Sequence, residues 1–314
     1  MTQQATVITH FSSPTWPLVN KLSAICKCLD VKMIHCSTTE KCRTIIADKK
    51  LGRVLFFTDE GMADLVLEME KMRLPQFEVA MLVLSHIPSL LEKMTALKIV
   101  KYLIGLESPE DYGRDLSILI KKFSGGNILD LDKYLAFGSK IHSRTIKTHQ
   151  DKRGAISAVS DYVANLGDPG YDHPYGEYST RMSELVDELL LNAVFDANPR
   201  MQNVDRSKPF KLDDKELVHI SWGYDGEFFG VSVRDPFGKF QSETILKYLG
   251  QRRNLEDLVA DKSGGLGLKF IFEKAHQVIA NVQSEQVTEV IALVKFASRL
   301  REFEEQKKSF YFFG

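Results

Sequence analysis

The stretch DELLLNAVFDA, residues 187–197, sets a carboxylate and a carboxamide, Glu188 and Asn192, one helical turn apart inside an otherwise apolar run of helix formers. Glu184, Glu188, Asn192 and Asp196 recur every fourth residue and so line one stripe of a helix. Leu185, Leu189 and Ala193, then Val186, Leu190 and Val194, cover most of the remainder. A helix that is apolar almost all round is buried, and its polar stripe must face something polar. A carboxylate buried without a partner is costly or neutralises itself, whereas a ligand cavity holding a hydrated cation would satisfy both groups. Two later segments suit a nucleotide. FGVSVRDPFG ends a strand in Asp235, followed by a turn with Gly238, and an Asp at a strand end can accept a hydrogen bond from an exocyclic amine such as that of adenine. SGGLGLKF offers Gly264, Gly265 and Gly267 where a loop enters a helix. Glycines let backbone N–H groups approach an anion, and a helix N-terminus favours negative charge. Each segment alone has a plain structural reading: a solvated helix face, a turn, a flexible loop. Their succession in these strand and helix contexts points to a nucleotide.

The elements that must position these residues alternate in texture. Residues 4–123 carry β-rich runs at 5–11, 31–36, 53–58, 77–85 and 100–106, separated by helical patterns, the last being EDYGRDLSILIKKF. Five strands alternating with five helices predict a parallel, doubly wound α/β sheet with near-continuous apolar central strands, an order that resembles receiver and flavodoxin folds. SGGN at 124–127 is a breaker cluster, and the domain boundary is set there. Beyond it the spacing predicts a short helix at Leu131–Leu135, an edge strand at 141–148, a helix over 151–167 and a loop over 167–178. There follow the helix containing Glu188, a hairpin of 217–222 with 228–235, a polar irregular stretch at 241–264, a helix at 266–276, and strands at 277–283 and 287–296. That is an α+β layer with a mostly antiparallel sheet. The expected division is 1–123, a linker helix at 124–139, a second domain at 140–300, and a charged and aromatic tail at 301–314.

The three segments of the second half resemble the N, G1 and G2 boxes of the GHKL ATPase superfamily, with its Bergerat ATP-binding fold. ELLLNAVFDA looks most like the form found in anti-sigma-factor serine kinases, and DKRGAISAVSDYVANLG is similar to the helix that opens that domain. The resemblance spans roughly 140–296. It implies ATP and Mg²⁺ as cofactors, with Asn192 ligating the metal and Glu188 as the general base that activates a water or protein hydroxyl. It also implies Asp235 on the adenine amine, Gly265 and Gly267 closing lid and helix on the phosphates, and Thr288 near the adenine. By the same resemblance Gly238, Gly264 and Leu266 are expected as further nucleotide-contacting positions. The G1 segment departs from D-x-G, reading D-P-F-G with Phe237 at the first glycine position, and Val287 stands where a glycine commonly precedes Thr288. Arg252 and Arg253 are candidates to reach a γ-phosphate from the lid.

The first half resembles a response-regulator receiver without its chemistry. No acid follows the first strand, which ends in His10, Phe11, Ser12 and Ser13. Asp59 lies near the end of the third, Ser85 can stand for the usual hydroxyl residue, and the fifth ends in Gly105 and Leu106 with no Lys. A degenerate docking or dimerisation module is expected. Neither His142 nor His149 sits in a convincing dimerisation helix, since SRTIKTHQD, which follows His142 and contains His149, lacks helical amphipathicity, and this argues against a conventional histidine kinase. The four cysteines, Cys26, Cys28, Cys36 and Cys42, fit no zinc spacing and are read as reduced thiols.

The chain has 314 residues, 44% hydrophobic and 26% charged, with a net charge of −1. No global field recruits nucleic acid or an anionic membrane, no apolar run is long enough for a membrane helix, and MTQQATVITHF has no basic region before its apolar stretch, so no signal peptide is expected. The expectation is a cytoplasmic signalling protein. Its leading reading is an ATP-dependent Ser/Thr protein kinase acting on a partner protein, with a homodimer as an option. The alternatives are a non-catalytic nucleotide-gated adaptor and a scaffold with no nucleotide. The aromatic end SFYFFG either docks a partner or packs back on its own domain.

Overall fold

The computed structural model describes residues 5–12, 16–48, 50–83, 97–105, 112–125, 127–166, 175–242, 266–297 and 300–314. The helical pattern SLLEKMTAL at 89–97 (except Leu97), Ser85, Leu106, Gly264, Gly265, Arg252, Arg253 and all the rest of 243–264 lie outside the described residues. Two compact units divide the rest. One comprises the chain up to Ile128 together with Ser309–Phe313, the other the remaining described residues between Leu129 and Lys308.

In the first unit, β1 (Thr6–Thr9), β2 (Lys32–His35), β3 (Val54–Asp59), β4 (Phe77–Val83) and β5 (Val100–Gly105) are parallel in the order β2-β1-β3-β4-β5. The central strand β3 is buried at every position. A strand can bury both rows of side chains only when both faces of its sheet are covered. The covers are α1 (Trp16–Cys28), α2 (Thr39–Ile46), α3 (Ala63–Lys71) and α4 (Tyr112–Phe123). α1 packs on α4, and α2 is tied to α3 by Arg43 and Glu68 at 2.9 Å. Thr38 caps α2, its hydroxyl accepting from the Lys41 N–H at 3.2 Å.

The region expected as a tail is structured. The stretch after α8 (Leu300–Glu305) forms β11 (Ser309–Phe313), which runs antiparallel to β5 with Tyr311 opposite Tyr102. All five residues of β11 are buried. The aromatic end is thus a core strand of the first unit, and it is not an exposed docking tail. Tyr102 stacks obliquely on Phe313 with centroids 5.2 Å apart, and the Ser309 hydroxyl accepts from the Gly105 N–H at 3.0 Å.

The acid at the end of β3 is used within the unit. Asp59 is 2% exposed. One carboxylate oxygen accepts from the backbone N–H and the hydroxyl of Ser12, both at 2.9 Å, and the other from the Gly61 N–H at 3.1 Å.

The second unit is a wholly antiparallel sheet of β6 (Ile141–Ile146), β7 (Val218–Tyr224), β8 (Phe228–Asp235), β9 (Gln277–Gln283) and β10 (Val287–Lys295), ordered β9-β10-β8-β7-β6. Side chains alternate between its faces with period two, so Asp235, Val233, Thr288 and Val290 share one face and Arg234, Ser232 and Glu289 the other. On the first lie α5 (His149–Ala164), α6 (Tyr175–Leu191) and α7 (Leu266–Lys274), with α6 packed between the other two. α5 starts two residues earlier than the periodicity predicts because Thr148 and Asp151 form a reciprocal capping box. α6 likewise begins inside the segment expected as a loop. His149 is the first residue of α5, and His142 lies on β6, stacked on Trp222.

The other face is closed by residues 130–135. A side chain at Gly230 would lie 2.8 Å from Leu131 Cδ1 and 3.3 Å from Leu135 Cδ2, so the glycine admits this segment onto the sheet. Beneath it Glu289, 1% exposed, accepts from Ser232 Oγ at 2.8 Å, Arg234 Nη2 at 3.0 Å, Asn281 Nδ2 at 2.9 Å and the backbone of Asp130 at 2.9 Å.

Candidate functional site

α6 does not run on through Asn192 as an α-helix. Residues Asn192–Asp196 form a π turn, closed by the Ala197 N–H donating to the Asn192 carbonyl at 2.9 Å. Wide turns of this kind, where they occur in helices, are frequently found at functional positions. The polar stripe nevertheless faces one way, toward α7 and the loop that follows. Glu184 is ion-paired with Lys274 in the last turn of α7. Glu188 and Asn192 meet the first turn of that helix, and a Cβ added at Gly267 would lie 2.5 Å from Glu188 Oε2 and 3.1 Å from Asn192 Oδ1. α6 and α7 therefore run antiparallel, with the start of α7 directed at the Glu188–Asn192 pair. Asp196 is paired with Arg206.

Asn192, Asp196 and Arg206 line a cavity of about 400 Å³ together with Asp235 and Thr288. Its floor is the sheet, through Val233 and Val290, and its walls are Leu189 and Ala193 on one side and Leu268 and Ile271 on the other. The volume lies within the range of small-ligand sites. Asp235 and Thr288 are neighbours because β8 and β10 pair them directly. Both are buried, at 5% and 2% exposure.

The polar atoms around the cavity are poorly satisfied by protein. Both amide atoms of Asn192, Asp196 Oδ2 and the Thr288 hydroxyl are buried with no hydrogen-bond partner among the described residues. Each such atom costs about 1–3 kcal/mol relative to a bonded one. Asp235 is met by backbone, its Oδ1 accepting from the Phe237 N–H at 2.9 Å. Burial pushes its carboxyl up to about 7 against the backbone N–H groups of Phe237 and Gly238. Burial also raises Glu188, reinforced by the like charge of Asp187 and opposed by Arg206. Asp187 is itself held by Lys152, 2.6 Å away. Asp196 is raised by burial in spite of its Arg206 partner. The result is a concave site with three carboxyls in or beside it made more basic and, among the described residues, an unpaired carboxamide and an unpaired hydroxyl.

Among the expected site residues, Asn192, Asp235 and Thr288 line this cavity, and Glu188 and Gly267 meet beside Asn192. Leu266 is the first residue of α7. Gly238 plays a different part. Its φ is +61°, and a Cβ there would lie 2.2 Å from the Gln283 carbonyl oxygen. It is required by the close approach of its turn to the β9–β10 hairpin and does not line the cavity. Arg206, Gln202 and Lys239 line the site without having been expected. The only signal for Arg206 was its basic charge in a loop, and its partner lies ten residues back. Among the described residues no group of three His, Cys, Asp or Glu side chains is placed to hold a metal ion, and no helix is long and apolar enough to cross a membrane. No protein-family model matches the chain, and no curated protein matches it in sequence.

Proposed function

We propose that the second unit is a GHKL-type, Bergerat-like site that binds Mg-ATP and transfers the γ-phosphoryl group to a Ser or Thr hydroxyl of a partner protein. The single observation that carries the reading is the gathering of Asn192, Asp235 and Thr288, far apart in sequence, around one 400 Å³ cavity, with Gly267 pressed on Glu188 and Asn192 at its side. The antiparallel sheet with its helices layered on the cavity face supports the same architecture. Asp235 accepts from the purine amine, beside the Thr288 hydroxyl. The orphaned amide oxygen of Asn192 suits a magnesium ligand, and the metal supplies charge neutralisation to the phosphates when bound. Glu188 accepts the proton of the attacking hydroxyl as its oxygen bonds to the γ-phosphorus and the bond to the β–γ bridging oxygen breaks, releasing ADP. Burial makes its carboxylate a stronger base than an exposed one, which is what the role needs.

The first unit is a receiver-like docking module. The strand order β2-β1-β3-β4-β5 supports that fold, and the engagement of Asp59 by Ser12 and Gly61 supports a receiver that does not accept phosphate. A cytoplasmic signalling role with a protein partner goes with this reading.

The test is transfer of label from γ-labelled Mg-ATP to a co-purified protein, lost in Glu188→Ala with binding retained. Binding without transfer to any captured partner selects the nucleotide-gated adaptor instead. That second reading is favoured by one observation, the Phe237 N–H that already occupies an oxygen of Asp235. An absence of Mg-ATP binding removes both.

A further inference from the structure

Two cations line the cavity among the described residues, Lys239 and Arg206. Lys239 follows the turn that begins at Asp235. Arg206 donates through Nη2 to Asp196 Oδ1 on the π turn that begins with Asn192. A guanidinium carries five N–H donors in a planar fork, and among the described residues its one hydrogen-bonded partner is Asp196. The pair is incomplete on the acid side as well, because Asp196 Oδ2 is buried with no partner among the described residues. A carboxylate and guanidinium optimised for each other form two parallel bonds and leave neither fork open. This pair is half made and borders a cavity. The positive charge of Arg206 also acts on Glu188, the group assigned to the phosphoryl end.

We propose that Arg206 is a phosphate-binding residue of this site, holding the polyphosphate of the bound nucleotide, and that Asp196 is its counter-ion in the unliganded protein. The inference rests on the nucleotide reading given above. Asp196 then acts as an internal competitor. Its carboxylate occupies the guanidinium when the cavity is empty and repels the incoming phosphates. Binding swaps a one-bond carboxylate contact for a charge-assisted fork on phosphate oxygens, so part of the affinity for the triphosphate is set by how tightly Asp196 holds Arg206. Adenosine, which has no phosphate, does not feel the exchange.

The opposite signs expected for the two members separate this role from a structural one, since a merely structural ion pair would lose affinity whichever partner was removed. The experiment is calorimetric titration of the whole chain with Mg-ATP and, separately, with adenosine, for wild type, Arg206→Gln and Asp196→Asn, with thermal unfolding as the check on folding. Arg206 is about half exposed, so the Gln variant is expected to fold. Arg206→Gln should weaken Mg-ATP by roughly ten- to a hundredfold, the worth of hydrogen bonds to a charged group, and leave adenosine within about twofold. Asp196→Asn should tighten Mg-ATP several-fold and leave adenosine unchanged. Wild-type binding of Mg-ATP matched by Arg206→Gln overturns the assignment of Arg206 and leaves the nucleotide reading standing. Equal weakening of Mg-ATP and adenosine also overturns it, since the side chain would then serve the base. Weakening of Mg-ATP by Asp196→Asn overturns the counter-ion role. Binding of neither ligand by wild type overturns the nucleotide reading, and this inference with it.

Discussion

Gly267→Ala is the smallest perturbation that tests whether Glu188 works at the start of α7. Gly267 is the second residue of that helix, so alanine suits its backbone and gains about 0.5–1 kcal/mol from helix propensity. The new methyl would sit 2.5 Å from Glu188 Oε2, 3.1 Å from Asn192 Oδ1 and 3.4 Å from Glu188 Cδ. Restoring an ordinary 3.4 Å contact moves the carboxylate oxygen by about 0.9 Å. That oxygen is the far end of a flexible side chain, so it yields at a rotamer cost of about 0.5–1.5 kcal/mol. The two terms nearly cancel, and stability measured by urea unfolding should stay within about 1 kcal/mol of wild type. Function should not be spared. A displacement of about 1 Å at a reacting group costs on the order of a hundredfold in rate, so turnover of labelled Mg-ATP should fall by roughly that factor. Glu188→Asp in the Gly267→Ala background retracts the carboxylate by one methylene and should recover part of the loss, although Glu188→Asp alone is slower than wild type. Wild-type turnover in Gly267→Ala would refute the reasoning. So would a loss of several kcal/mol in stability, because the contact would then be rigid packing.

Asp235→Asn should stabilise the unliganded protein at neutral pH while abolishing Mg-ATP binding. The folded carboxyl stands at about 7 against an ordinary 3.8, so the native state keeps a proton that the unfolded chain releases, and stability falls as pH rises from about 4 to about 7, by up to ~4 kcal/mol. Asparagine has no such proton, so the difference between variant and wild type in urea unfolding should grow in favour of Asn across that window and level off above it; a pH-independent difference would contradict the burial. Glu289→Ala leaves Arg234 with Asp130 alone and strips Ser232, Asn281 and the Asp130 N–H of their acceptor. It should cost about 3–5 kcal/mol, read by the same unfolding assay, and it acts on the sheet face away from the cavity, so a cost under 1 kcal/mol would show the network to be ornamental.

The strands of both units were legible because each follows a local rule. The run 277–283 is a strand from end to end as its apolar texture predicts, and β3 reads as a doubly covered strand because six residues in succession are buried. Glu188 and Asn192 were legible as a pair because a four-residue spacing on an apolar helix leaves few places for a carboxylate to go. Three features carry no local signal. The π turn at Asn192–Asp196 is a choice of backbone hydrogen bond, i to i+5 in place of i to i+4, and the side chains of NAVFD suit either. The Asp196–Arg206 pair is made across a loop with no periodicity. β11 has the composition of a strand, but its partner lies far away in sequence, as the Gly105–Ser309 bond across 204 residues shows, and an aromatic end next to a charged run reads equally well as a free tail.

A buried acid alone does not mark a site, and this chain contains the comparison that makes the point. Glu289 is more buried than Asp235, yet it has four donors arranged around both of its oxygens. Asp59 is equally hidden and has three. Both are closed systems in which the cost of desolvation is offset within the fold, and each fixes one segment on another: residues 130–135 on the sheet, and Ser12 on the turn after β3. The cavity groups differ in what is left over. Among the described residues Asn192 has two amide atoms and Thr288 one hydroxyl without a partner, and burial, not a neighbouring charge, dominates the raised Asp235 and Glu188 carboxyls. Single orphaned atoms also occur elsewhere, as at Thr58 and His149. What distinguishes the cavity is that Asn192, Asp196 and Thr288 contribute theirs to one 400 Å³ space. A fold that leaves several kcal/mol of hydrogen bonding unmade in one place, while completing it at Glu289 and Asp59, retains those groups for something other than its own stability. A ligand with an amine donor at one end and a metal-bound anion at the other would complete them.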